Sequence, residues 1–352
     1  MCQFRIQGSS LKIYEYIIRR LILLFFVLFA VSALVFYLVR GFPTGIAPWA
    51  PYITSRMTPE QIDRVIKAHG FDRPIWEQFF YWLRDIFNGD WGLTGTWAQG
   101  RPANEVFFDH FPYTVELSIF GTILTVAIGV PLGIISAIKN NKFPDHLSRI
   151  IALAGYSTPS YWFGFMLQLV FFYYFSLWGL PYLPSSGAPD FIVPKITGLP
   201  IFDGLLAGNL GYVWDEFLHL ILPAFSLSFI SLGFLARIVR ASLLEVLRQD
   251  YITMARSKGL SERVVIYRHA LKNALIPAVT LTGIFFAALL GGAMITEFVF
   301  SWPGVGQQAL RAVFQGDSNF LLVYSFVFAI VIVSANLVVD VLYAFIDPRI
   351  KY

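Results

Sequence analysis

Six long apolar runs constrain this chain more than any other feature. Residues 21–39, 117–138, 150–177, 217–236, 274–296 and 318–339 contain no Asp, Glu, Lys or Arg. Each can cross a hydrocarbon core of ~30 Å, for which a helix needs roughly 20 residues. Lipid offers no partner to a bare N–H or C=O, so each run is predicted to close its own hydrogen bonds as an α-helix. The expected fold is therefore an all-α membrane protein with six transmembrane helices, in keeping with a mean hydropathy of +0.63. The first run is uninterrupted, and the Arg40-Gly41-Phe42-Pro43 that follows lacks a small-x-small cleavage site. It reads as a retained helix and not as a signal peptide.

The polar stretches set the topology. With the N-terminus inside, 17 of the 26 Lys and Arg lie on the cytoplasmic side, and the short loops carry most of that bias. The prediction is a multi-pass cell-membrane protein with both termini cytoplasmic. Its net charge of +4 follows from this topology and gives no reason to expect nucleic acid. Cys2 is the lone cysteine, which excludes an intrachain disulfide and a cysteine cluster. The histidines at 69, 110, 146, 219 and 269 lack ligand spacing, so no metal is expected.

Three units follow. Residues 1–40 are the N-terminus and first helix, 41–112 an extracellular helical segment, and 113–352 a core with helices two to six. Within 41–112, Thr58-Pro59-Glu60 starts a helix through a cap, a proline at its first position and an acid near the dipole. Ile62, Val65 and Ile66 continue the period to His69-Gly70. A second helix follows Pro74 with Trp76, Phe79, Phe80 and Trp82. A cap on the membrane surface and a docking surface for a delivered substrate are compatible readings of this pair. Gly304-x-Gly306-x-x-Ala309 mimics a dinucleotide fingerprint but has no βαβ context and is rejected.

Inside the membrane, Gly129-Val-Pro-Leu-Gly133 places small residues four apart, which lets helices approach closely. Ser157-Thr158-Pro159-Ser160 predicts a break in the third helix, a feature tolerated where it packs in protein or lines a cavity. Ser157, Thr158 and Pro159, with the acids Glu116 and Glu297, form the candidate translocation path. Asp340 near the inner end of the last helix is assigned a structural ion pair with Arg237 or Arg240.

One basic stretch stands apart. Tyr251 to Pro277 is too polar to span, yet it is patterned as short amphipathic helices around Gly259. A membrane protein that keeps a structured basic element in a cytoplasmic loop, 246–273, holds it out for a soluble partner.

These residues carry a resemblance. Asp250-Tyr-Ile-Thr-Met-Ala-Arg-Ser-Lys-Gly259, continuing to Arg268-His-Ala-Leu-Lys-Asn-Ala-Leu-Ile-Pro277, resembles the EAA loop of the B-type permease subunit of dipeptide/oligopeptide/nickel ABC importers. Phe71-Asp-Arg-Pro74, Gly89-Asp-Trp-Gly92, Thr114-Val-Glu116, Leu183-Pro-Ser-Ser-Gly187, Phe300-Ser-Trp-Pro-Gly304 and Asp347-Pro-Arg349 match in order along nearly the whole chain. Thr253-Met254-Ala255 stands where the wider motif has Glu-Ala-Ala, Arg40-Gly-Phe-Pro-Thr-Gly45 replaces the usual turn, and 188–216 is longer than typical.

The resemblance implies a type I importer permease fold and a pore subunit that is not itself an enzyme. It implies a coupling helix in which Tyr251, Ile252, Met254 and Ala255 supply an apolar face and Arg256 and Lys258 a charged one, beside Thr253. Gly259 would serve the turn that follows. The implied partners are a homologous second permease, two ABC ATPases and an extracellular substrate-binding protein. No G-x-x-x-x-G-K-[ST] occurs here, so ATP and Mg would bind those ATPases, and no cofactor is expected in this chain. Oligopeptide is the expected substrate class, oligosaccharide the alternative, and nickel the least favoured. A self-sufficient channel or secondary transporter would call for inverted repeats or midplane charges, and an intramembrane enzyme for a catalytic pair; neither pattern is present.

Overall fold

The computed structural model describes residues 13–41, 47–54, 56–189 and 193–346. Its helices run in the order α1 (Ile13–Gly41), α2 (Pro59–Ala68), α3 (Ile75–Phe87), α4 (Ala103–Ile138), α5 (Phe143–Ser157) and α6 (Ser160–Gln168). Next come α7 (Pro200–Leu206), α8 (Leu210–Val246), α9 (Asp250–Ser257) and α10 (Glu262–Ala274, with a π-helical stretch at Val265–Ala270). The last are α11 (Ile276–Gly292), α12 (Met294–Val299), α13 (Val305–Gln315) and α14 (Ser318–Ile346).

Four helices are long and apolar enough to cross a membrane unaided: Ile22–Gly41 within α1, α4, α8, and Ser318–Leu337 within α14. A fifth crossing results if α10 and α11, bent by 48° at their junction, count together. The run at 150–177 is broken where Ser157-Thr158-Pro159-Ser160 predicts it. α5 ends at Ser157, Thr158 is extended at φ −96°, ψ 125°, and α6 begins after Pro159. Proline disfavours the helical region for the residue before it and brings no N–H of its own. Beyond Gln168 the chain continues through a π-helical stretch, Leu169–Tyr174, to Leu177. The described residues thus hold four unbroken spans, a bent pair and a broken pair in place of six straight helices.

α4 and α8 form the central seam. Burial from water gives little drive for helices to associate in lipid, so close packing decides, and small residues allow it. A Cβ on Gly129 would lie 3.1 Å from the Leu232 carbonyl, and one on Gly133 would lie 2.6 Å from that of Ala236. The expected small-residue pair is therefore where the two backbones meet. Leu220, Leu235, Val239 and Leu243 of α8 are fully buried along the same seam.

The polar segment before α4 is helical, as its signals predict. Thr58 Oγ1 accepts from the Gln61 amide while Gln61 Oε1 accepts from the Thr58 amide, a reciprocal cap on α2. Gly70 takes φ +67° after the helix ends. α3 lays Phe79 against Phe36 of α1 with ring centroids 5.4 Å apart, and Leu322 of α14 completes the cluster. Trp76, Phe80 and Phe87 stay exposed.

Two residues at the start of α14 tie this segment down. Asp317 Oδ2 accepts from the Gly95 amide (2.6 Å) and from Trp97 Nε1 (2.7 Å), while Oδ1 accepts from the Phe320 amide as a helix cap. Asn319 donates to the Pro48 and Leu93 carbonyls and accepts from Arg40 Nη2 at 2.8 Å.

Candidate functional site

At the end of the molecule carrying residues 139–149 and 237–273, α9 and α10 stand out from the helical body. α9 begins with Asp250 in its first turn, where an acid suits the dipole. The residue after Lys258 must reverse the chain, and Gly259 does so at φ +77°. No atom lies within 4 Å of where its Cβ would be, so backbone conformation demands glycine here and space does not.

Register divides the expected coupling residues into two sets. Ile252 (0% exposed) and Ala255 (7%), three apart, point inward and pack with Ala137, Leu243, Val265, Ala270 and Ala274. Tyr251 (41%) and Met254 (61%), also three apart, point outward, joined by exposed Leu260 and Tyr267 across the turn. The single apolar face read from sequence is thus two faces, one holding the element in place and one presented.

Arg256 is held by its own chain. Its Nη2 and Nε donate to the two oxygens of Glu262 at 2.6 and 3.1 Å, a two-point clasp across the Gly259 turn. Asn273 Nδ2 donates to the Tyr251 hydroxyl at 2.9 Å, and Ser257 to the Thr253 carbonyl at 3.0 Å. Lys258 is exposed beside them.

Among the described residues the carboxylate that meets Arg240 is Asp145. Arg240 Nε and Nη2 donate to it at 2.8 and 3.0 Å, and Arg149 joins the same carboxylate at 3.1 Å. Ser136 Oγ and the Asn141 amide complete the shell of Asp145, which is fully buried. The Arg240 hydrogen bond, followed by those of Ser136 and Asn141, outweighs desolvation and holds this carboxyl well below the usual 3.8. Arg237 instead places its guanidinium 5.0 Å over the Phe234 ring. The side chain of Asp340 lies outside the described residues. Asp145 was missed because 95 residues separate it from Arg240; its position in the first turn of a proline-started helix was the available signal.

The candidate path residues do not converge. Ser157 and Pro159 are exposed at the break between α5 and α6, and Thr158 is half-buried. Glu116 and Glu297 are 2% and 0% exposed. Glu116 Oε1 accepts from the Ile201 amide at 2.8 Å, at the start of α7. Glu297 accepts from Thr114 Oγ1 (2.6 Å) and from the Gln307 amide (2.9 Å), and a Cβ on Gly304 would collide with its carboxyl. Trp302, fully buried, donates from Nε1 to the Tyr113 carbonyl at 3.0 Å. Glu297 therefore anchors the turn at 300–306 against α4.

The described residues thus form a helical membrane protein that carries a seated basic element beyond its spans. The comparisons give that class a family. Residues 129–352 match the binding-protein-dependent transport system inner membrane component, and residues 13–118 match the N-terminal part of the same component. The chain belongs to that family and is similar to the B-type permease subunits of its dipeptide/oligopeptide/nickel importers. It is 39% identical over 339 residues to the dipeptide transport system permease protein DppB of Alkalihalophilus pseudofirmus, covering 96% of this chain and 99% of that one. The dipeptide permease DppB of Escherichia coli is 34% identical and the oligopeptide permease AppB of Bacillus subtilis 31%, each with the same coverage.

Proposed function

We propose that this chain is the translocation-pore subunit of an ATP-driven importer for short peptides, and that it couples to ABC ATPases through α9 and the turn at Gly259. The observation that carries the reading is the two-sided register of α9. Ile252 and Ala255 fix it to the spans, while Tyr251 and Met254 remain available to a partner. A push on the outer face would then be transmitted to α4, α8 and α10 through packed side chains and not through a flexible tether.

In this reading the basic end and both termini are cytoplasmic. The segment at 47–102 lies outside, where a binding protein would deliver substrate. A second permease of the same fold would complete the pore and bring the assembly to two permeases and two ATPases. The crossing broken at Thr158-Pro159 would supply the path, since backbone freed by proline suits a protein-lined or wetted surface. Peptide is favoured over oligosaccharide as cargo because the relatives above are named for peptide transport.

The test is co-purification from native membranes with an ATPase assay, comparing the wild type with Met254→Asp. Met254 buries little, so the variant should fold and reach the membrane while its ATPase subunits fall away. ATPase subunits retained in wild-type amounts on the variant would overturn the docking assignment.

A further inference from the structure

α5 and α8 cross at small residues. A Cβ on Gly155 would lie 2.6 Å from the Phe229 carbonyl, and one on Gly233 would lie 2.7 Å from that of Ala152. Beside this crossing lies a cavity of ≈ 350 Å³, within the ~300–1,000 Å³ range of ligand sites. Its wall is apolar, formed by Leu153, Tyr156 and Phe234, and its rim carries Arg149, Arg237 and Arg240.

The charges do not balance. Among the described residues these three guanidiniums meet one carboxylate, Asp145, which binds Arg240 at two points and Arg149 at one. Among the described residues Arg237 has no carboxylate within ion-pair distance, and it rests on the Phe234 ring. From Arg149 to Tyr156 the wall runs ~10 Å along α5, at 1.5 Å per residue. The cavity therefore joins a cationic rim at the basic end of the chain to an apolar wall along α5. Leu153 (66%) and Tyr156 (68%) leave that wall open on the surface of the chain.

We propose that this cavity binds one anionic phospholipid, with its phosphate on Arg237 and Arg149 and the upper acyl chain along Leu153, Tyr156 and Phe234. A free phosphate would leave the apolar wall unused. A zwitterionic peptide would need a carboxylate for its amine, and Asp145 is already taken. The lipid satisfies rim and wall together, and it fills the gap beside a crossing at which both helices already touch.

The test places the purified full chain, with the subunits that accompany it, in nanodiscs of phosphatidylcholine mixed with phosphatidylglycerol. Native mass spectrometry then counts the lipid retained. Arg237→Gln removes the unpaired cation, and Leu153→Trp fills the cavity from an exposed position; neither touches the Asp145 cluster. Phosphatidylglycerol should be retained over phosphatidylcholine, and Arg237→Gln should reduce its retention about fivefold, the worth of one basic side chain near an anionic surface. Leu153→Trp should reduce it as well, while Arg237→Lys should restore part of it. Equal retention of both lipids, or phosphatidylglycerol retention unchanged in both variants, would overturn the proposal. So would displacement of the lipid by millimolar inorganic phosphate, which would mark a soluble-anion site. Absence of retained lipid because a partner helix fills the cavity would overturn it too.

Discussion

The two ends of this molecule solve opposite problems. At the end carrying α2 and α3, polar side chains are used up internally: Asp317 and Asn319 bond to two and three groups distant in the chain, and Glu297 bonds to distant Thr114 and to nearby Gln307. At the basic end one buried cluster around Asp145 fixes α4, α5 and α8, and past it the surface is left unfinished. Tyr251, Met254 and Tyr267 are exposed there, as is a row of arginines and lysines. Side chains that hold the fold together and side chains left exposed are thus concentrated at opposite ends of the molecule.

That contrast can be broken from several sides. The largest loss is expected for Asp145→Ala, which strands Arg240 and Arg149 and should cost ~3 kcal/mol. Thermal unfolding in detergent would show it. A stability unchanged by this substitution would remove the Asp145 cluster as the fastening of the basic end.

Acid should act through the same group. Asp145 titrates in the folded protein below its ordinary 3.8, so its contribution is fully present above that value and is lost as pH falls toward the folded value. Arg240→Gln relieves that depression. The stability gap between wild type and Arg240→Gln should therefore narrow as pH is lowered through the region below 3.8.

Gly304→Ala at the opposite end should cost ~2 kcal/mol, because its methyl would enter the space of the Glu297 carboxyl within a packed turn. Unfolding monitored by Trp302 fluorescence would read this locally.

Gly259→Ala meets no neighbour but must hold φ near +77°, a conformation costing ~1 kcal/mol for a residue with a side chain. Its larger effect is expected on transport-coupled ATP hydrolysis. A normal coupling ratio in this variant would show that the turn is not part of the transmission.

The smallest stability effect belongs to Arg256→Gln. The Glu262 clasp is exposed at 40% and 57%, and such pairs are worth less than ~1 kcal/mol. If this substitution uncouples hydrolysis while the melting temperature holds, the clasp shapes the docking turn and does little for the fold.

Much of this could be read from the chain alone where the cause is local. Apolar length marked the spans, Gly129 and Gly133 marked the close seam, Thr58-Pro59 marked α2, and Pro159 marked the break. Gly259 marked the turn, although its reason is φ and not crowding. What escaped were pairings across long separations, such as Asp145 with Arg240 and Asp317 with Trp97, 220 residues apart. No spacing rule reaches that far, although Asp317 as a helix cap offered a hint.

From the chain alone it follows that this is a helical membrane protein with several apolar helices and that a basic helical element lies outside the apolar runs. Those outcomes follow from transfer energy, backbone self-satisfaction and the stereochemistry of proline and glycine, all of which act within a few residues. Only the tertiary structure decided which side of α9 faces in, which acid holds Arg240, that Glu297 pins a turn, and that α5 and α8 enclose a cationic cavity. Those depend on how helices rotate and approach one another, and that is set by packing shape across the whole bundle.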